Sequence, residues 1–349
     1  MKKVVLAYGP RGFGNYTFDT ETLEFSGSPD TRSGPLIIPG FIDIHTHGAF
    51  GIDFMSATVD EMRDLCCELS KVGYEGFLPT TVTAPVAQVR QALARLPDDP
   101  MILGFHLEGP FISPRYPGAQ PQGDIVDPPV GVSEWDPILD DSRLKVITLA
   151  PERPGGGDLI RRLSNRNVKV SIGHTEATYT QCREAFAMGA RHTTHTFNAM
   201  RPLHHREPGA VGFALTENDV FTELIYDRHH VAREAAEVLL RCKPESRVLA
   251  ISDSTMAAGV PSGTHLKMWG LDCHVSEGTV RLADGTLAGS AITLLDAFRN
   301  LKEDFGWSTA VNACCINPRI ALGLSTTEAR TYLELDPDLN IVARYDRKK

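Results

Sequence analysis

The chain has 349 residues, long for one simple domain and ample for a barrel with a small appendage. With 42% hydrophobic and 23% charged residues it has the composition of an ordinary globular protein. A net charge of -9, with no basic stripe to override it, argues against nucleic-acid partners.

The first ten residues, Met1 to Pro10, carry two lysines and a brief apolar run, short of the roughly 7–15 apolar residues of a secretory signal. No stretch approaches the ~18 apolar residues of a membrane helix, so no membrane partner and a cytoplasmic location are expected. The seven cysteines include two adjacent pairs but no C-x-x-C spacing, and read as buried, inert thiols.

Residues 1–36 and 322–349 mix glycine, proline, aspartate and serine with short apolar runs, and are expected to form one small β domain from both termini. Between them, over 37–321, eight β-rich segments are each followed by a helix-competent stretch. The strands are predicted at Phe41–His47, Gly76–Val82, Ile102–Glu108, Leu144–Ala150, Val168–His174, His192–Phe197, Phe221–Asp227 and Val248–Asp253. Several are near-continuous apolar runs, as in parallel strands buried on both faces. Thr58 with Glu61 and Thr178 with Gln181 read as capping boxes, and Gly73 and Gly189 as helix stops. Eight alternations predict an α/β fold, a (β/α)₈ TIM-like barrel. The rival, a doubly wound open sheet, lacks its Gly-rich phosphate fingerprint.

The residues able to carry chemistry fall at predicted strand ends, which in a barrel share one rim. His45 and His47 close the first strand two residues apart, so both can face one ion. Taken alone, such a pair is equally readable as incidental. Glu108 closes the third strand after Met101–Phe105, where a carboxylate is costly to bury without a cation or donor; a helix cap or a structural ion pair is the other reading. His174 and His195 close the fifth and sixth strands, with His192 facing away as a structural residue. Asp253 closes the eighth, placed either to cap the next segment or to move protons beside a metal-activated water. Imidazole donors suit zinc, with iron, cobalt or manganese as other divalent candidates.

Together the stretches Pro39-Gly40-Phe41-Ile42-Asp43, His106-Leu107-Glu108-Gly109-Pro110-Phe111 and Thr194-His195-Thr196-Phe197-Asn198-Ala199-Met200 resemble the amidohydrolase superfamily. Arg206-Glu207-Pro208-Gly209, Asp253 and Leu287-Ala288-Gly289-Ser290 extend the resemblance to its N-acetylglucosamine-6-phosphate deacetylase branch, over residues 39–324. The resemblance implies an amidohydrolase-type barrel that removes acetate from a phosphorylated N-acetyl amino sugar. It implies Glu108, His174 and His195 as ligands of a main divalent metal, His45 and His47 as ligands of a second ion present in some members, and Asp253 as general base and acid. It also implies sugar and phosphate contacts from Ala119, Gln120, Asn198, Ala199, Arg206, Asp227, His230, Leu287, Ala288 and Gly289. His230 often comes from a neighbouring subunit in this family, which implies a homodimer.

Three departures stand out: Gln120 where a histidine is frequent, Arg228 where a glycine is usual, and a short terminal β portion. The first two keep open an N-acetylgalactosamine 6-phosphate or other N-acyl substrate, with Arg228 as a source of extra positive charge. A non-catalytic metal-binding barrel is the remote alternative, disfavoured by the presence of Asp253.

Overall fold

A computed structural model describes residues 1–9, 12–30, 34–276 and 278–347. All eight predicted parallel strands are present. Six form one sheet, in spatial order Val248–Ile251, Phe221–Ile225, His192–Thr193, Lys169–Ile172, Leu144–Leu149 and Phe105–Glu108, every neighbour pair parallel. The other two, Phe41–Thr46 and Tyr74–Pro79, pair in parallel with each other. Parallel bridges Phe77–Ile102 and Thr80–His106 join this pair to one edge of the sheet, and Thr46–Ser254 joins it to the other. The ring is thereby closed, which removes the exposed edges an open sheet would present. Ile42, Ile44, Leu78, Val146, Ile225, Leu249 and Ile251, from alternate positions on these strands, pack together without solvent exposure.

The helices between strands follow the sequence signals. Thr58 and Glu61 form a reciprocal capping box for Val59–Lys71, which buries Met62, Leu65, Cys66 and Leu69. Gly73 follows at φ +90°, and a Cβ there would lie 2.7 Å from the Leu333 side chain, so the stop also lets the helix end pack closely. Thr178 and Gln181 cap Tyr179–Met188 in the same way, with Cys182 and Ala185 buried and Phe186 half-buried.

Most strands end sooner than predicted, His192–Thr193 after two residues. The reason is local: His174, His195 and Asp253 sit just past the ladders at positive φ (49°, 28° and 46°), where extended pairing cannot continue. Such backbone costs on the order of 1–3 kcal/mol per residue and persists where the surroundings impose it.

The chain ends build a second sheet, in the order Ile341–Asp346, Thr331–Leu335, Leu36–Pro39, Lys2–Gly9, Gly12–Asp19 and Glu24–Asp30. It is fastened to the barrel by the buried pair Arg319–Glu75, in which Nη2 donates to Oε2 at 2.6 Å. The same guanidinium donates to the Gly40 carbonyl, and Glu75 accepts from the Thr331 N–H. One element was not foreseen. A four-stranded antiparallel sheet, His265–Met268, Leu271–Ser276, Thr279–Leu282 and Leu287–Ser290, is inserted between the eighth barrel strand and its helix Leu294–Phe305.

The expectation for the thiols holds for Cys66, Cys182, Cys273, Cys314 and Cys315, whereas Cys67 and Cys242 are exposed. Burial pushes Cys66, Cys182 and Cys315 up to about 12, so these stay protonated and unreactive at neutral pH. Among the described residues no helix is long and apolar enough to cross a membrane.

Candidate metal-dependent active site

The six strand-end groups singled out from sequence meet at one point. His45, His47 and Asp253 present ligand atoms within 4.8 Å of one another, as do Glu108, His174 and His195. Glu108 connects the sets. Its Oε1 lies 3.3 Å from His45 Nε2, 3.3 Å from His174 Nε2 and 3.2 Å from His195 Nε2, while its Oε2 lies 3.2 Å from His47 Nε2. Asp253 Oδ1 stands 3.4 Å from His45 Nε2 and 3.2 Å from His47 Nε2. All six side chains are nearly or wholly buried.

The outer ring nitrogens define the tautomers. His47, His174 and His195 direct Nδ1 at the carbonyl oxygens of Thr80, Tyr116 and Asn198, at 3.1, 3.0 and 3.2 Å. Carbonyl oxygens only accept, so each Nδ1 carries a proton and Nε2 is the nitrogen turned inward. His45 does the same through Glu223 Oε2 at 3.2 Å, and Glu223 also accepts from the His195 N–H. A histidine so oriented by an oxygen partner is the usual arrangement for a metal ligand. Two observations fit a cation at the centre. The Nε2 atoms of His174 and His195 face each other at 3.1 Å, and the buried Nε2 of His45 has no hydrogen-bond partner.

Electrostatics agree. Burial opposes protonation of His47, but Asp253 and Glu108 raise it to about 9; the same two carboxylates carry His45 well above the ordinary histidine value. Burial likewise opposes ionisation of Asp253, yet the charges of His45 and His47 pull it to about 2, and Glu108 is drawn well below the usual carboxylate range. Both carboxylates are therefore ionised at neutral pH. A donor set of imidazoles and carboxylates that hold protons only through mutual attraction exchanges them readily for a divalent ion.

The cluster forms the floor of a cavity of about 420 Å³. His47, Glu108, His174, His195, Asp253, Ala119, Gln120, Asn198, Ala199, His230, Leu287 and Gly289 line it, twelve of the sixteen residues expected at the site. His45 lies beneath, in the cluster but away from the cavity surface. Gln120 accepts from the Thr83 N–H through Oε1 and donates through Nε2 to Glu108 Oε2, both at 2.7 Å. Asp227 lies behind His230: its Oδ2 is 2.6 Å from Nδ1, and its Oδ1 accepts from the His229 and His230 N–H groups.

Two further residues expected at the site, Arg206 and Ala288, do not line the cavity of this chain. Arg206 is exposed, its Nη1 beside His205 Nε2 at 2.8 Å, and does not line the cavity. Ala288 faces the interior of the inserted sheet, because alternate residues of a strand face opposite sides and its neighbours Leu287 and Gly289 take the cavity side. Arg228 supplies no charge to the site: it is paired with Asp304 at 2.8 Å and Glu303 at 2.9 Å. His230 lines the cavity of its own chain. His192 lies apart from the cluster, its ring 5.1 Å from that of Phe221.

Sequence reading missed Trp269, Arg281, Gly285 and Thr286, all from the inserted sheet, and Glu223. Trp269 stands over His47 with ring centroids 5.4 Å apart, held by Nε1–H donating to Asp53 Oδ2 at 2.8 Å. Glu223 could have been found, since a glutamate in the middle of the buried strand Phe221–Ile225 needs a partner.

Residues 36–329 match the amidohydrolase family model, and the chain belongs to that family; it is a hydrolytic enzyme with a TIM-like barrel and a small β domain. Its curated relatives are deacetylases of phosphorylated amino sugars. It is 37% identical to the N-acetylgalactosamine-6-phosphate deacetylase of Escherichia coli O157:H7, over 84% of this chain and 80% of that one. It is 38% identical to the N-acetylglucosamine-6-phosphate deacetylase of Lysinibacillus sphaericus, over 78% and 72%. Among solved structures, the N-acetylglucosamine-6-phosphate deacetylase of Thermotoga maritima superposes with a TM-score of 0.89 at 30% identity, covering 99% of this chain and 98% of that one. A Mycobacterium smegmatis variant in complex with N-acetyl-D-glucosamine-6-phosphate gives 0.87 at 31%, over 98% and 97%.

Proposed function

We propose that this enzyme hydrolyses the acetamide of N-acetylglucosamine 6-phosphate to glucosamine 6-phosphate and acetate. The observation that carries the reading is the convergence of four inward-facing imidazole nitrogens, Glu108 and Asp253 on the floor of one cavity. The relatives and the ligand of the mycobacterial complex supply the substrate class.

In this reading Glu108, His174 and His195 hold one divalent ion, and His45 and His47 hold a second where two are present, with zinc the first candidate. The cation supplies Lewis acidity for the amide carbonyl and the attacking water. Asp253, ionised at neutral pH, accepts the proton of that water at Oδ1 and returns it to the departing nitrogen. Asn198, Ala199, Gln120 and Leu287 shape the sugar pocket, and the Asp227-held ring of His230 offers its remaining nitrogen to the substrate. The barrel over 37–321 carries the chemistry, with 1–36 and 322–349 as a supporting β unit. Retention of a phosphorylated sugar inside the cell supports a cytoplasmic location. A homodimer, which the family resemblance implies, belongs to the same reading.

A second reading takes N-acetylgalactosamine 6-phosphate as the substrate, favoured by the relative from E. coli O157:H7 and by Gln120 where a histidine is frequent. Acetate release from both phosphorylated sugars and from unphosphorylated N-acetylglucosamine, before and after chelation and zinc restoration, separates the two. Metal-dependent release favouring the gluco phosphate supports the first reading, and a galacto preference transfers it to the second. No release from any of them by metal-loaded enzyme overturns both.

A further inference from the structure

We propose that Trp269 sets the length of acyl group this site accepts, confining it to acetyl and excluding longer-chain 2-acylamido hexose 6-phosphates; this deepens the reading above and rests on it. In such a sugar C2 and C5 stand opposite each other across the ring, so the acyl group and the phosphate lie at opposite ends of the molecule. With the amide on the strand-end cluster, the sugar extends past Asn198, whose carbonyl adjoins His195. The acyl group then points to the other end of the cluster, where Trp269 stands over His47 with ring centroids 5.4 Å apart. Trp269 and Leu287 are the large apolar side chains among the described lining residues, and Leu287 belongs to the sugar wall.

Behind the indole lies a second cavity of about 550 Å³. Its lining includes Met55, Val82, Ala84, Met256 and Met268, an apolar and adaptable group of side chains, beside the polar Asp124 and Lys267. Trp269 is the one described residue that lines both cavities, so the indole is the partition between them. The backbone points the same way. Trp269 and Gly270 form the two-residue turn between the paired residues Met268 and Leu271, at φ +53° and +84°. A turn with both central residues at positive φ favours Asn-Gly, and a bulky side chain in its first position costs on the order of 1–3 kcal/mol. The indole is held there against the His47 ring and by Asp53 Oδ2, which accepts from Nε1–H at 2.8 Å. These contacts fix a flat wall across the route that an acyl chain would take beyond its second carbon.

The test uses metal-loaded full-length enzyme and measures carboxylate release from N-acetyl-, N-propanoyl- and N-butanoylglucosamine 6-phosphate. Wild type is expected to lose about 10-fold or more in kcat/KM for each added methylene, the usual effect of one carbon in a fitted pocket. Trp269→Asn, which leaves the Asn-Gly pair the turn prefers, should raise the butanoyl-to-acetyl ratio of kcat/KM by about 10–100-fold. Trp269→Phe, which keeps a ring in place, should stay near the wild-type ratio. Trp269→Gly suits the same turn and takes over if Trp269→Asn does not fold; metal content and thermal midpoint report on folding. A folded, metal-loaded Trp269→Asn enzyme with the wild-type ratio, or a wild type that cleaves butanoyl as readily as acetyl, overturns the assignment and leaves the deacetylase reading standing. No carboxylate released by wild type from the gluco series or its galacto counterparts overturns that reading and the assignment with it.

Discussion

Gln120 and Glu108 are joined by a 2.7 Å hydrogen bond in which the carboxamide Nε2 donates to Oε2, the carboxylate oxygen that faces His47. Because Gln120 is itself fixed by the Thr83 N–H, it holds that oxygen in place while Oε1 faces His174 and His195. Gln120→Ala is expected to weaken metal retention about 10–100-fold, the usual effect of removing a partner that orients a ligand. Competition with a chromogenic chelator measures it, and an unchanged dissociation constant would show that Glu108 needs no such support.

Glu223 plays the corresponding part for His45. Glu223→Ala strands both His45 Nδ1 and the buried His195 N–H, so a loss of metal affinity and of about 1–3 kcal/mol per unpaired group is expected. Glu223→Gln keeps an acceptor oxygen and should lose less of both. Metal analysis after dialysis, together with denaturant unfolding, checks the ordering of the two variants; equal behaviour would argue against the oriented-histidine account.

For Asp253, the expected signature is a rate effect. Asp253→Asn should lower kcat by about 10²–10⁴-fold, the contribution typical of acid–base groups, while metal bound to the other five side chains is largely kept. Turnover at the wild-type rate with equal metal content would remove Asp253 from the proton path.

His192 gives the protein an acid sensitivity unconnected with the active site. Its ring is buried, with Nδ1 unpartnered, and burial, with the nearby Lys169 charge, lowers its pKa from 6.5 to about 3. The unfolded chain therefore binds a proton that the folded chain refuses. The stability this residue contributes is whole above about 6.5 and is lost as pH falls towards about 3. The slope from this group approaches about 1.4 kcal/mol per pH unit inside that window. Urea unfolding of His192→Asn between pH 4 and 7 should show a shallower dependence than wild type, and an identical slope would sink the attribution.

The barrel and its strand-end cluster of histidines and carboxylates were legible because both obey local rules. Apolar runs repeat at a regular interval, and a histidine or carboxylate at the end of such a run is costly without a purpose. Trp269 and Arg281 were not legible, for an equally physical reason. Trp269 lies in the turn between His265–Met268 and Leu271–Ser276, and Arg281 on the half-exposed strand Thr279–Leu282, where tryptophan and arginine are ordinary surface residues; only the folding of 265–290 over the rim turns them inward. Arg228 misled for the opposite reason, since its partners Glu303 and Asp304 are some 75 positions away.

The backbone of Asp253 is stitched on both sides. Its N–H donates to His45 O at 2.9 Å, and its carbonyl accepts from the Ser290 N–H at 2.8 Å. Ser290 belongs to the strand that also carries Leu287 and Gly289. An engineer who wishes to exchange the hairpins of 265–286 for those of a relative has a safe seam before Leu287. A graft that crosses Ser290 would transplant the footing of Asp253 along with the cavity wall, and is expected to change pace and preference at one stroke.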